Sequence, residues 1–132
     1  MPVLEQITIA PHLTFDALTS GAPGAPLVLL LHGFAESMNC WRAQVTALGD
    51  MGYRAIAPSQ RGYSPGARPD SREFSHYLID RLMDDAMAIA AAYFIAAPYR
   101  FEVLPGVGHF AADQAPARVC ELMLEHLAAH PV

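Results

Sequence analysis

Two histidines stand directly after apolar segments, where imidazole and backbone groups could take part in hydrolysis. His32, Gly33 and Phe34 follow the unbroken apolar run 27–31, and His109 follows the last apolar run in a glycine-flanked loop. A backbone N–H at Phe34 could stabilise a developing oxyanion, and an imidazole presented by a loop could act as a general base. The plainer alternatives are that Gly33 only permits a sharp turn, that His32 only bonds nearby backbone, and that His109 is structural.

A formal G-x-S-x-G pattern occurs at 62–66, with Ser64 in the position of a nucleophile. A nucleophile elbow needs a strand just before the serine, a helix just after it, and an N–H on the next residue. That next residue is Pro65, which has no N–H. The surrounding stretch 58–74 is rich in proline, glycine and serine and predicts a loop. We therefore expect Ser64 not to be a nucleophile.

Asp84 and Asp85 lie between Ser64 and His109, in the chain order expected of a triad acid. They fall inside a predicted helix and close to Arg81. Charged residues in such a setting usually face solvent and pair along the helix surface. The sequence thus predicts a solvated helix face at both aspartates.

The order of elements predicts how these residues are positioned. Residues 5–9 and 12–19 contain alternating and β-branched residues, which favour a hairpin. The later predicted strands are 27–31, 53–57 and 100–104, and the predicted helices are 39–49, 75–94 and one opened by Pro116. This alternation predicts one α/β domain spanning 1–132. Its small three-layer open sheet would be mostly parallel, with an antiparallel hairpin at its start and ligands at the carboxyl ends of its strands.

Composition narrows the classes of function. The chain has 132 residues, 53% of them hydrophobic, and a net charge of -5 with only eight scattered Lys and Arg, which indicates a globular protein and disfavours nucleic acid. Cys40 and Cys120 lack metal-ligand spacing, so we expect two free thiols, no metal and no cofactor. No uncharged stretch reaches the roughly 18–20 residues of a membrane span, and no secretory pattern is visible. We therefore expect no membrane partner and a cytoplasmic location.

Several segments resemble the α/β-hydrolase family, and above all its epoxide-hydrolase and haloalkane-dehalogenase-like branch. The matching parts are LVLLLHGFAE (27–36), GYRAIAPSQRGY (52–63) and FEVLPGVGHF (101–110), with Trp41, Gln44, Leu48 and Pro116. The resemblance implies that His32, Gly33 and Phe34 form the oxyanion loop. It also implies that His109 is the catalytic base. Ala35 departs from the branch, which usually has proline there.

The same resemblance implies that an internal part of the family fold is absent. The family places a strand, the nucleophile elbow, the lid and the acid-bearing strands between the helix 75–94 and the last strand. Here a single helix fills that interval. Joining an early and a late family helix near Ala90 still leaves one right-handed crossover, and predicts a truncated sheet of about five strands.

Two functional interpretations follow from this incomplete site. The first is a hydrolase-type protein for a small-molecule ester or epoxide, with weak or no activity. Without a nucleophile the covalent route is closed, and His109 could offer only general-base catalysis. The alternative is a non-enzymatic binding module that self-associates through an exposed sheet edge.

Overall fold

The computed structural model describes residues 1–92 and 111–129, and in it a hairpin is followed by two more strands that flank a helix. The strands are β1 (Val3–Ala10), β2 (Leu13–Ser20), β3 (Leu27–Leu29) and β4 (Arg54–Pro58). The α-helices are α1 (Arg42–Asp50), α2 (Ile79–Ala91), α3 (Ala111–Gln114) and α4 (Pro116–Ala129). Short 3-10 helices cover Met38–Trp41, Pro65–Ala67 and Phe74–Tyr77. None of the described helices is long and apolar enough to cross a membrane.

The described strands form one open sheet in the order β1-β2-β4-β3. β1 and β2 form the predicted antiparallel hairpin, in which Ile7 lies opposite Phe15 and both are buried. β2 also pairs with β4 in antiparallel fashion, whereas β3 and β4 are parallel and are joined through α1. Gly21 makes the exit from β2 possible. Its φ is +86°, and a Cβ there would collide with the carbonyl oxygen of Tyr53, so only glycine fits.

Helices cover both faces of this sheet. All five residues of β4 are buried, with Ile56 in one core cluster and Ala55 in the other. The first cluster includes Ile89 of α2, and the second includes Val45 of α1 with α4 packed beside it. Burying one side chain of this size contributes ~1.5–3 kcal/mol. The predicted three-layer α/β fold is confirmed.

The parallel part of the sheet is short within the described residues. The run predicted as a strand over 27–31 becomes the three-residue β3, after which the Leu30 N–H still donates to the Ile56 carbonyl at 2.9 Å. Two of the three described pairings are antiparallel and one is parallel. The predicted strand 100–104 lies outside the described residues, so a fifth strand stays a prediction.

The helix predicted over 75–94 differs in its start and in the face it buries. It begins at Ile79 after a 3-10 turn. Its sequence carries two adjoining apolar stripes, one with Leu82 and Ile89 and the other with Ile79, Met83 and Met87, and this pattern predicts a wide face packed on the sheet. That prediction is wrong for these three residues of the second stripe. Ile89 is buried, but Ile79, Met83 and Met87 are 69%, 59% and 68% exposed. Helical periodicity finds apolar residues, but it does not say which stripe meets the sheet.

Candidate active-site cavity

A cavity opens at the carboxyl ends of β3 and β4, where open α/β sheets bind ligands. Its volume is about 670 Å³, within the range of small-molecule sites. It is bounded by the loop after β3, the loop after β4 and the first half of α2. Its apolar lining includes Leu31, Phe34, Phe74, Ile79, Leu82 and Met83, and its polar lining includes His32, Gln60, Arg61, Tyr63 and Tyr77.

His32 bridges the two loops that form the wall of this cavity. Its ring is buried, and Nε2 lies 2.9 Å from the backbone nitrogen of Gln60, whose N–H donates to it. The proton therefore belongs on Nδ1, which donates to the carbonyl oxygen of Gly33 at 2.8 Å. The side-chain amide of Gln60 returns a hydrogen bond to the His32 carbonyl. Both imidazole nitrogens are thus engaged with backbone, as in the plainer of the two sequence interpretations.

The loop after β3 presents Phe34 at the rim of the cavity, where the residue is 83% exposed. In the same loop the Gly33 N–H donates to the Glu36 carboxylate at 3.4 Å, and the Ala35 N–H donates to the Tyr63 hydroxyl at 2.9 Å. Ala35 has a φ of +62°. A proline could neither adopt that angle nor donate that hydrogen bond. The departure from the branch at this position therefore allows a different loop conformation.

Ser64 lies in a structural setting away from the cavity lining. Its side chain is completely buried, its O–H donates to the Ser59 carbonyl at 2.5 Å, and its oxygen accepts the Asp16 N–H at 3.0 Å. Pro65, the following residue, opens a 3-10 turn rather than a helix behind a strand. The hydroxyl therefore joins β2 to the loop after β4, and no base among the described residues bonds it.

Arg61 and Asp85 form a buried ion pair beside the cavity. Arg61 donates from Nε and Nη2 to the two carboxylate oxygens, both at 2.7 Å, and each side chain is 8% exposed. The hydrogen bond with Asp85 raises the pKa of Arg61. The prediction of a solvated face was correct for Asp84, which is exposed and pairs with Arg81, and wrong for Asp85. Its spacing of four residues from the core residue Ile89 was the signal that could have placed it inside.

A family model described as the alpha/beta hydrolase fold matches residues 26–97, more than half of the 132 residues. The chain belongs to the α/β-hydrolase fold family. Over 70 residues it is 47% identical to Epoxide hydrolase A of Mycobacterium tuberculosis (strain ATCC 25618 / H37Rv), covering 53% of this chain and 21% of that protein. Over 81 residues it is 38% identical to the AB hydrolase superfamily protein YfhM of Bacillus subtilis (strain 168), covering 61% of this chain and 28% of that protein.

Solved structures give the same family. Epoxide Hydrolase A from Mycobacterium thermoresistibile superposes with a TM-score of 0.62 at 34% identity, over 70% of this chain and 28% of that one. The epoxide hydrolase VrEH1 from Vigna radiata superposes with a TM-score of 0.60 at 34% identity, over 69% of this chain and 28% of that one. This hydrolase-fold chain spans about a fifth to just over a quarter of the length of these relatives. The resemblance to the epoxide-hydrolase-like branch is confirmed.

The proposed catalytic base of this hydrolase-fold chain, His109, lies outside the described residues, and its role stays a prediction. Later in the chain, α3 contacts the 3-10 turn Met38–Trp41. The buried Gln44 side chain of α1 donates to the carbonyl of Ala112 in α3 at 3.4 Å. Within the described ranges, no group of three or more His, Cys, Asp or Glu side chains could hold a metal ion.

The loop after β4, residues 59–64, is the part of the site that sequence reasoning missed. We call it the junction loop, because its six residues contact three other parts of the fold. It bonds the loop after β3 through Gln60 and Tyr63, α2 through Arg61, and β2 through Ser59 and Ser64. The sequence predicted only an irregular loop there, because these partners are distant along the chain.

Proposed function

We propose that this protein binds an apolar small molecule that carries an epoxide or ester oxygen, and that its hydrolytic activity is weak or absent. The observation that carries this proposal is the cavity at the ends of β3 and β4. Its lining is largely apolar, with a few polar groups at one wall. Such a surface suits a ligand that is mostly hydrocarbon with one oxygen acceptor. The epoxide-hydrolase relatives point to the same ligand class.

The weakness of the proposed activity follows from the side chains available in the cavity. The family's covalent route needs an Asp or Ser nucleophile that forms an ester, which water then hydrolyses. None of the described lining residues is Ser, Cys, Asp or Glu. Covalent catalysis therefore has no nucleophile in this part of the site. An internal shortening of the family fold between α2 and the last predicted strand would account for this.

The remaining chemistry is general-base hydrolysis. In this proposal His109 removes a proton from a water molecule, whose oxygen attacks an epoxide carbon and breaks its C–O bond, or attacks the ester carbonyl to form a tetrahedral intermediate that expels the alcohol. His109 then returns the proton to the oxygen released from carbon. The backbone N–H of Phe34, in the loop that begins with His32 and Gly33, stabilises the negative oxygen that develops. A positioned general base typically accelerates a reaction by about 10²- to 10⁴-fold. We propose a rate enhancement no greater than that.

The test is hydrolysis of styrene oxide, measured alongside its binding. We expect slow turnover that His109→Ala abolishes without loss of binding. His76→Ala is the matched control, because His76 is partly exposed and pairs with the surface residue Glu73. It should leave turnover unchanged. Turnover that survives His109→Ala would refute the base assignment, and failure of styrene oxide to bind would refute the proposed function.

A second candidate function is self-assembly, and exposed apolar side chains favour it. Phe74, Ile79, Met83 and Met87 on and before α2 are all exposed, as is Phe34 across the cavity. Within the described sheet β1 and β3 are the edge strands, and an edge strand presents N–H and C=O groups with which a strand of a second copy can pair. This candidate predicts dimers or larger species in sedimentation experiments. A strictly monomeric protein at high concentration would contradict it.

We also propose a reducing, cytoplasmic setting, without a nucleic-acid or membrane partner and without a cofactor. Both cysteines, Cys40 and Cys120, are free thiols, which suits a reducing compartment. The net charge of -5 opposes binding to phosphate backbones and anionic lipid. Cell fractionation tests the location.

A further inference from the structure

Tyr63 belongs to the junction loop and contacts the loop after β3 at the polar wall of the cavity. Its ring meets the His32 ring edge to face, with centroids 4.7 Å apart. Its hydroxyl oxygen accepts the Ala35 N–H at 2.9 Å. Tyr63 also lines the cavity. Its phenol is therefore fixed in position by two contacts before any ligand arrives.

The proton of this phenol has no acceptor among the described residues. The contrast is Tyr77, which lines the same cavity but donates its hydroxyl proton to the Pro69 carbonyl at 2.6 Å. A hydroxyl that accepts one hydrogen bond becomes a stronger donor of the next, because the bonds polarise one another. The Ala35 N–H thus strengthens Tyr63 as a donor. A buried or cavity-facing hydroxyl with an uncommitted proton is costly unless a ligand or water accepts it.

We propose that Tyr63 donates a hydrogen bond to the oxygen of a ligand in this cavity. The inference rests on the proposed function and makes it more specific: the ligand is an apolar molecule with a neutral oxygen acceptor, such as an epoxide or a carbonyl. The phenol keeps its proton in the complex. A hydrocarbon of the same shape would fill the same space, but it would leave the Tyr63 proton without a partner.

The test compares two probes of nearly the same shape, acetophenone and α-methylstyrene, which differ in having C=O or C=CH2. We expect Tyr63→Phe to weaken acetophenone binding about 3- to 10-fold, as for one hydrogen bond, and to leave α-methylstyrene binding unchanged. Tyr77→Phe is the matched control, and it should change the binding of both probes equally. The carbonyl stretching frequency of bound acetophenone should be lowered in the wild type and should rise in Tyr63→Phe.

The outcomes separate this inference from the proposed function. If both probes bind the wild type and Tyr63→Phe weakens both equally, Tyr63 only supports the loop through Ala35, and the donor role is refuted. If neither probe binds the wild type, the proposed function fails and the inference fails with it. If Tyr63→Phe does not fold, 3-fluorotyrosine at this position supplies a more acidic phenol. The carbonyl frequency should then fall further, and an unchanged frequency refutes the donor role.

Discussion

Removal of the Asp85 carboxylate is expected to destabilise this fold strongly. Arg61 and Asp85 share two hydrogen bonds of 2.7 Å, and each side chain is only 8% exposed. Deleting one partner of a buried ion pair costs about 3–5 kcal/mol, because the other charge stays buried and unpaired. We expect Asp85→Ala to lower the free energy of unfolding by that amount. The melting temperature of a domain of this size should fall by roughly 10–20 °C.

The neighbouring aspartate provides the control for this measurement. Asp84 pairs with Arg81 at 3.5 Å, and their side chains are 69% and 59% exposed. An exposed helical pair of this kind contributes ~0.3–0.5 kcal/mol. Asp84→Ala and Asp85→Ala delete the same atoms from adjacent positions of α2, so both change helix propensity alike. The difference between the unfolding free energies of the two variants therefore measures the effect of burying the Arg61–Asp85 pair.

Urea unfolding followed by circular dichroism measures these free energies. A double variant, Arg61→Met with Asp85→Leu, removes both charges and fills the space with apolar atoms. It should recover most of the stability lost in Asp85→Ala, since the main cost comes from the unpaired charge. Equal stability of Asp85→Ala and Asp84→Ala would refute the reasoning. So would a double variant less stable than Asp85→Ala.

Acidification is expected to weaken the tie between β1 and β4. Burial opposes ionisation of Glu5, but hydrogen bonds and charge from Arg54 outweigh it and hold the pKa of Glu5 below its ordinary value of 4.5. The stability that the Glu5 carboxylate contributes is fully present above about pH 4.5 and is lost as pH falls through its lower pKa in the folded protein. Glu5→Gln should therefore make the free energy of unfolding in urea less dependent on pH in that range. Burial, with neighbouring carboxylates, raises the pKa of Cys40 to about 12. Iodoacetamide at pH 8 should therefore modify Cys40 about 1000-fold more slowly than a thiol of ordinary pKa. The modification rate of Cys40 alone can be measured in a Cys120→Ala variant. Ser64→Ala should cost about 1–3 kcal/mol, because it leaves buried backbone groups unsatisfied. It should not change styrene oxide turnover per folded molecule, and lost turnover in a folded variant would contradict a structural role.

The layers and the hairpin could be predicted because their signals are local. Alternation along β1 and β2, the short apolar run 55–57 within β4, and Pro116 at the start of α4 each appear within a few residues. The family resemblance could also be predicted, because its segments keep their order along the chain. The rejection of Ser64 as a nucleophile also rested on local signals, namely its neighbour Pro65 and the loop composition of 58–74.

The polar contacts of the site could not be predicted in the same way. Arg61 and Asp85 are 24 residues apart, and Tyr63 and Ala35 are 28 apart, so no periodicity joins them. The exposed stripe of α2 was missed for a related reason. Which face of a helix is buried depends on how it lies across the sheet, and the sequence of the helix alone does not contain that information.

The junction loop affects how this domain unfolds locally. Its six residues cannot leave their places one at a time, because opening would break the buried ion pair, the His32 bridge and the Ser64 bonds together. Its amide protons should then exchange with solvent in the same cooperative event as those of β4, rather than by local fraying. This wall of the cavity is therefore fixed before a ligand arrives, which reduces the entropy lost on binding. Any adjustment to ligands of different sizes falls to the part of the lining formed by α2, where Met83 has a flexible side chain.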